Sequence, residues 1–495
     1  MRYDTYMRSL RGVSLIDVLV GTALIAVIFV GLFGILRASI EVAGLARAKA
    51  AATAIAGSQI EYVRSLTYDS VGTVGGIPAG VLPQVTTTTQ AGTTFTVRTF
   101  VAYVDSPADG SGASDSNAVT TDYKVVKVTV SYSINDQDRE VLLVTTASPP
   151  GIETTAGGGT LRVEVVDAAG LPVPGATVHI ENAATSPAIS LSTFSDADGI
   201  VLLGGAPTST EYEIAVSKSS YSSAQTYERD ATNQNPTPGY LTVAEAQTTT
   251  ATFAIDLLSS FTIRTLTPAV DDAFSDTFTD TTKLTSMSNT SVSGGALSLL
   301  LAGDPATYAA SGSALATTTA PDYLASWGDV TMTLDTPAST GVSVSVTDAS
   351  GTLLPDAVLP GNSIGFTSTV DLSGISTSTY PALALRAALS TSDPNTTPSV
   401  LAWGIGYTYG PAPLPNVALT FTGAKTIGAT SSGAPIYKTT VATTTDATGV
   451  RTLSLEWDSY NLTVTGYTIS TSTDEIPYEV LPGTTIDTSL YLTSP

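Results

Sequence analysis

At 495 residues, the chain is too long for a single core and should divide into about three or four domains. It carries 43 Asp and Glu against 20 Lys and Arg, a formal net charge of −23, so it is expected to repel nucleic acid and anionic lipid. It has no cysteine and one histidine, His179, which excludes disulfide scaffolds, thiolate zinc sites and Cys nucleophiles, and leaves any histidine-relayed serine chemistry to that one residue. A hydrolase built on carboxylates alone stays open on composition. The wealth of Thr, Ser, Gly and Ala points to an extracellular, β-rich protein.

The first element is the run RGVSLIDVLVGTALIAVIFVGLFGILRASIEVAGLARAKA, residues 11 to 50. No charge interrupts it from Val18 to Leu36, a stretch of roughly 28 Å as a helix, close to the thickness of a bilayer core. Arg2, Arg8 and Arg11 precede it against Asp4, which keeps the N-terminus in the cytoplasm and sends the rest across the membrane. No proline occurs before Pro78, and Ala52, Ala56, Ile60, Val63 and Leu66 recur at spacings of three and four, so the helix is expected to run on to about Leu66. A secretory signal peptide has a shorter apolar core and would stop sooner. Neither it nor a plain signal anchor accounts for Asp17, an acid placed where acids are costly.

The stretch RGVSLIDVLVGTALIAVIFVGL resembles the class III signal of type IV pilins and of the pseudopilins of type II secretion. The resemblance implies cleavage between Gly12 and Val13 by a prepilin peptidase, which also N-methylates the new terminus. Asp17 then falls where the family carries an acidic residue, which pairs with the freed α-amino group of a neighbouring subunit during assembly. The chain departs from the usual pattern in having Asp17 rather than Glu, Val13 rather than Phe, and only Gly21, Gly31 and Gly34 to loosen the helix.

Residues 67 to 100 open with a turn-rich connection, and TTFTVRTFVAYVD, DYKVVKVTVSYSI and REVLLVTTAS alternate apolar and polar residues as half-buried antiparallel strands do. A long helix on a small sheet, closing near Ser148, resembles the head of a minor pilin or pseudopilin. The intervening loop holds Asp105, Asp109, Asp115 and Asp122, and because some pseudopilins bind calcium in such a loop, the resemblance makes these weak calcium candidates. A solvated acidic hairpin is the simpler reading, since the spacing matches no fixed ligand pattern.

SPPGIETTAGGGT reads as a linker. The following segment, with LPVPGATVHI and SDADGIVLLGG, resembles the carboxypeptidase regulatory-like domain, a small sandwich that spaces or binds and has no catalytic centre. Asp196, Asp198 and Gly199 are read as a tight turn rather than a metal loop, and His179 as a packed strand residue. The pattern recurs in PLPNVALTFTG and TTTDATGVRTLSLEW, with Gly449 in the place of Gly199. Between the copies, short alternating strands argue a jelly-roll-like sandwich that loosely resembles galactose-binding-like and laminin-G-like modules. Trp327, Trp403, Tyr407 and Tyr409 are its weak candidates for a sugar-stacking platform.

The expected fold class is an α+β pilin module, a long N-terminal helix plus antiparallel sheet, followed by all-β sandwich domains. Its parts are a basic leader at 1–12, a membrane and filament-core helix at 13–66, a head at 67–150, a linker at 151–160, a regulatory-like sandwich at 161–257, a jelly-roll-like sandwich at 258–412 and a second regulatory-like sandwich at 413–495. This order suits a minor type IV pilin that assembles through its helix and presents β modules for adhesion at an extracellular filament or cell surface. Its partners would be other pilins, the prepilin peptidase, the assembly machinery, the membrane before assembly, and a surface glycan or protein receptor, with no resident cofactor. The alternatives are a pseudopilin of a secretion or DNA-uptake system and a membrane-anchored glycosidase or carbohydrate-binding protein.

Overall fold

The computed structural model describes residues 15–106, 121–134, 137–150 and 158–495. One long helix is followed by sheets that are almost wholly antiparallel, arranged in sandwich-like domains. Helix α1 spans Leu15–Ser65, 51 residues, and ends one residue before the expected stop. Its second half lies on a four-stranded sheet of β1 (Val85–Gln90), β2 (Thr93–Val104), β3 (Tyr123–Ile134) and β4 (Gln137–Ala147), paired in chain order. Period two along β2 and β3 turns Phe95, Val97, Val101, Val126, Val128, Val130 and Tyr132 inward. The helix answers with Ala48, Ala52, Ala56, Ile60 and Val63, whose small methyls let it lie close to the sheet.

By its contacts the chain forms two units, residues 1–257 with 426–436, and residues 258–425 with 437–495. In the first, the head adjoins a second core built from β5 (Gly159–Val166), β6 (Thr177–Asn182), β7 (Ile189–Phe194), β8 (Ile200–Ala206) and β9 (Ser209–Ser217). The expected linker 151–160 is shortened by this: β5 already begins at Gly159, and residues 151–157 lie outside the described residues. The head is fastened to the sandwich. Ile77, from the loop after α1, is buried in the sandwich core; Gln84 Nε2 donates to Ser190 O at 2.6 Å; and the Arg98 guanidinium lies 4.9 Å from the centre of the Phe194 ring.

In the second unit the structure corrects the boundaries drawn at 258 and 413. The strand Ser259–Leu266 pairs antiparallel with Val450–Leu455 and parallel with Thr485–Thr493, and its Phe261 and Ile263 sit in one core with Val417, Phe421, Tyr460 and Leu490. The same arrangement holds in the first sandwich, where β5 pairs antiparallel with β8 and parallel with Thr248–Ala254. The last sandwich is therefore split, its first strand separated from the rest by an inserted sandwich. The two ends of the insertion meet: Thr267 N donates to Ala412 O at 2.8 Å, and Leu266 bridges Pro413. In the first copy the same position holds only the turn Asp167 to Gly170, between Val166 and its bridge to Pro172. The inserted sandwich faces a six-stranded sheet against a four-stranded one, with all pairings antiparallel, over a core that includes Trp327, Val344, Leu385, Trp403 and Ile405.

Candidate functional site

The two halves of α1 meet opposite fates. From Leu15 to Val42, seventeen large apolar side chains are exposed, all round the helix, while Ala52 and Ala56 further on are 0 % exposed. The stretch from Val18 is long and apolar enough to cross a membrane, and none of its most apolar window is buried. No glycine of this half, Gly21, Gly31 or Gly34, has a neighbour within 4 Å of where a Cβ would stand. Burying the seventeen side chains would be worth on the order of 30 kcal/mol, so in water this surface needs an apolar partner. Asp17 lies on α1, near the first described residue of the helix. Gly12 and Val13 lie outside the described residues.

Where the helix ends, Lys124 fixes the chain that follows. It is 2 % exposed, and its Nζ donates to Tyr68 O at 2.8 Å and Val71 O at 2.7 Å. The ammonium also lies 4.4 Å from the centre of the Tyr68 ring. Burial lowers its pKa to about 8, against the opposing pull of Asp69, and pushes the Tyr68 hydroxyl up to about 12. The polar position in an otherwise apolar strand, "YKVVKV", was the available signal for this anchor.

Of the calcium candidates, Asp122 is buried beside the start of β3, accepting from Ser106 N, and Asp105 lies across the hairpin stem. Asp109 and Asp115 lie outside the described residues. Among the described residues no three His, Cys, Asp or Glu side chains converge as metal ligands.

The turn reading of Asp196 is met by geometry. Its Oδ1 accepts from Asp198 N and Ile200 N, and Gly199 has φ +74°, with Val165 O standing 2.5 Å from a would-be Cβ. Asp446 repeats this with Thr448 N, Val450 N and Gly449. Two more turns of the same build stand at Asp167 and Asp348.

His179 lies on β6, as read, and is half-exposed on the outer face of that strand. Nδ1 meets Ser192 Oγ at 2.8 Å and Nε2 meets Glu181 Oε1 at 2.8 Å, an order that looks like a nucleophile, base and acid. But the three are neighbours on a regular strand pair, and Ser192 N is committed to Gln84 Oε1 at 3.3 Å, so it cannot hold an oxyanion.

The stacking platform is corrected. Trp327 and Trp403 are 1 % and 2 % exposed, and along Ser399–Tyr409 the period of two places Trp403, Ile405, Tyr407 and Tyr409 on one face, the inner one. Trp327 Nε1 donates to Tyr380 O at 2.9 Å, Trp403 packs on Phe278, and half-buried Tyr407 meets Trp327 edge-on and donates to Asp272 at 3.2 Å. The two tryptophan rings offer a sugar no open face, while Tyr407 and Tyr409 are half-buried beside them.

Comparison with known proteins agrees with this architecture in one part. Residues 160–256 match the carboxypeptidase regulatory-like domain family. No curated protein matches the chain. Among solved structures, the chain is similar to the TIE protein of Bacillus anthracis (10 % identity, 83 % of this chain and 73 % of that one, TM-score 0.16). It is similar also to BcpA, the major pilin subunit of Bacillus cereus (8 % identity, 68 % and 100 %, TM-score 0.14), and to a streptococcal ancillary pilin (9 % identity, 74 % and 77 %, TM-score 0.17). Scores this low do not establish a shared fold over the chain.

Proposed function

We propose that the chain is a minor type IV pilin, a structural subunit that enters a filament through α1 and carries β modules outward for adhesion, with no catalysis of its own. The observation that carries this reading is the divided helix: one half is packed on its own sheet, while the other is apolar on every side and unpartnered within the chain. A bilayer and then a bundle of like helices would each cover that surface. Asp17, at the start of the bare half, supplies the one charge such a bundle needs for register, once cleavage after Gly12 frees the amino group of Val13 on a neighbouring subunit. The sequence of the leader supports the prepilin peptidase as the processing partner, and the basic tail supports an N-terminus in the cytoplasm before assembly. The bulk of the β modules favours a low-copy position at a tip or on the side of the filament.

The test is incorporation. In filaments sheared from the native cells and purified, the wild-type chain is expected, and the Asp17→Ala variant is expected to fall at least tenfold there while remaining at wild-type level in the membrane. Equal incorporation of the two would overturn the assembly role of Asp17, and absence of the wild-type chain from filaments would overturn the reading as a whole.

A further inference from the structure

We infer that the head sheet continues from one copy of the chain to the next, the free edge of β1 in one copy adding as a strand to the free edge of β4 in its neighbour. The inference deepens the assembly reading, on which it rests for what brings copies side by side, the bare halves of α1 in a common bundle. In the four-stranded sheet β1 and β4 are the two outer strands, and among the described residues neither has a second strand beside it. A free edge is a row of unpaired N–H and C=O groups that pairs with another chain unless a proline, a lysine or a bulge blunts it. Neither strand holds a proline or a lysine, and the pairings of β1 with β2, β2 with β3 and β3 with β4 keep one register throughout.

The two edges fit each other in direction, charge and side chains. The strands alternate in direction and are even in number, so a copy displaced sideways in the same orientation meets β4 with its β1 antiparallel and its α1 on the same face. β1, VTTTTQ, is six residues without a charge, and the charges of β4 stop at Glu140, which leaves VLLVTTA, residues 141–147, uncharged. Two copies of a chain of net charge −23 repel, so a contact between them closes best where neither edge is charged and more distant charge is screened beyond roughly 8 Å at physiological salt. Val85, Arg98, Thr129 and Leu142 share one row of the sheet and therefore one face, the face away from α1. On that face Leu142 and Val144 of β4 are 52 % and 54 % exposed and Val85 of β1 is 44 % exposed, so both edges carry aliphatic surface that the chain itself leaves open. Setting β1 on the uncharged half of β4 puts Val85 beside Thr146, Thr87 beside Val144 and Thr89 beside Leu142, cross-strand pairs of aliphatic and β-branched side chains joined by about six backbone hydrogen bonds. This register lies four residues from the level row in which Val85 meets Leu142, a stagger of about 14 Å. The contact joins unlike edges, so each copy keeps one edge open, and the stagger makes the row climb instead of closing into a ring. A few copies in such a row suit a low-copy position.

The test is disulfide cross-linking, which is clean because the chain has no cysteine of its own. Full-length Thr87→Cys and Val144→Cys chains are mixed in detergent micelles that hold several chains each, at physiological salt, and oxidised. The mixture is expected to give a mixed dimer at least tenfold above the dimers of either variant alone, and a chain with both changes is expected to give a ladder of multimers. Thr87→Cys mixed with Glu140→Cys, its partner in the level register, is expected to give at least tenfold less. Leu142→Lys, added to the Val144→Cys chain, puts a charge on the exposed face and is expected to cut the mixed dimer at least tenfold with near-ultraviolet circular dichroism unchanged. A mixed dimer no more abundant than the dimers of either variant alone, or one unaffected by Leu142→Lys, would overturn the contact, and equal cross-linking through Glu140→Cys would overturn its register. Wild-type chain in filaments without the mixed dimer would overturn this contact alone, and the mixed dimer without incorporation of the wild type would overturn the assembly reading alone.

Discussion

The two halves of α1 share one backbone and one regular helix, yet they are written in different alphabets. From Ala48 to Val63 the buried residues are mostly small and fall on a single stripe, because a sheet covers one face only and the rest meets water. From Val18 to Leu36 no residue is charged and large apolar side chains stand exposed on every face of the helix. A helix coded for one partner on one side and for surroundings of one kind on all sides is a helix that serves two environments in sequence.

Four changes would break or sharpen that contrast. The largest effect belongs to Ile28→Lys in the bare half: about 3 kcal/mol against membrane residence, read as a lower threshold for extraction from the membrane fraction, with no change in the melting of the β modules. Ala56→Leu in the packed half should do the reverse. The extra carbons have no room against the sheet and should cost about 1–3 kcal/mol in chemical denaturation, while the chain still reaches the membrane.

A smaller effect is expected at Lys124. Its folded pKa of about 8 lies below the ordinary lysine value of 10.5, so between those values the unfolded chain binds more protons and stability rises with pH. Above about pH 10 the raised Tyr68 hydroxyl works the other way, since the unfolded tyrosine ionises first. Between pH 8 and 10 the wild type should therefore gain stability relative to Lys124→Met; a difference that stays flat across that range would contradict the burial of the charge. The smallest effect is expected at Glu61→Gln, which removes an exposed ion pair with Arg64 on the water-facing side and should change stability by about 0.3 kcal/mol.

Much of this was legible in residues that speak locally. The stripe from Ala52 to Val63, the alternation of "KVVKVTVSY" and the Asp-to-Gly turns at 196 and 446 each fix their structure within a few residues, and the structure carries them as read. The split module was not legible, because the partner strands of Ser259–Leu266 lie some two hundred residues further on and its own alternation suits any sandwich. The aromatic residues misled for a related reason: Trp327 and Trp403 have the composition of a sugar platform, but which face of a strand is inner depends on the sheet packed against it.

The central claim is that α1 is a processed, assembling helix, and the mature N-terminus tests it most directly. N-terminal sequencing and intact mass of the protein from its native cells should give a chain that begins at Val13 and carries one added methyl group. A chain that begins at Met1, or one cut beyond the apolar run, would contradict it and leave Asp17 without its partner.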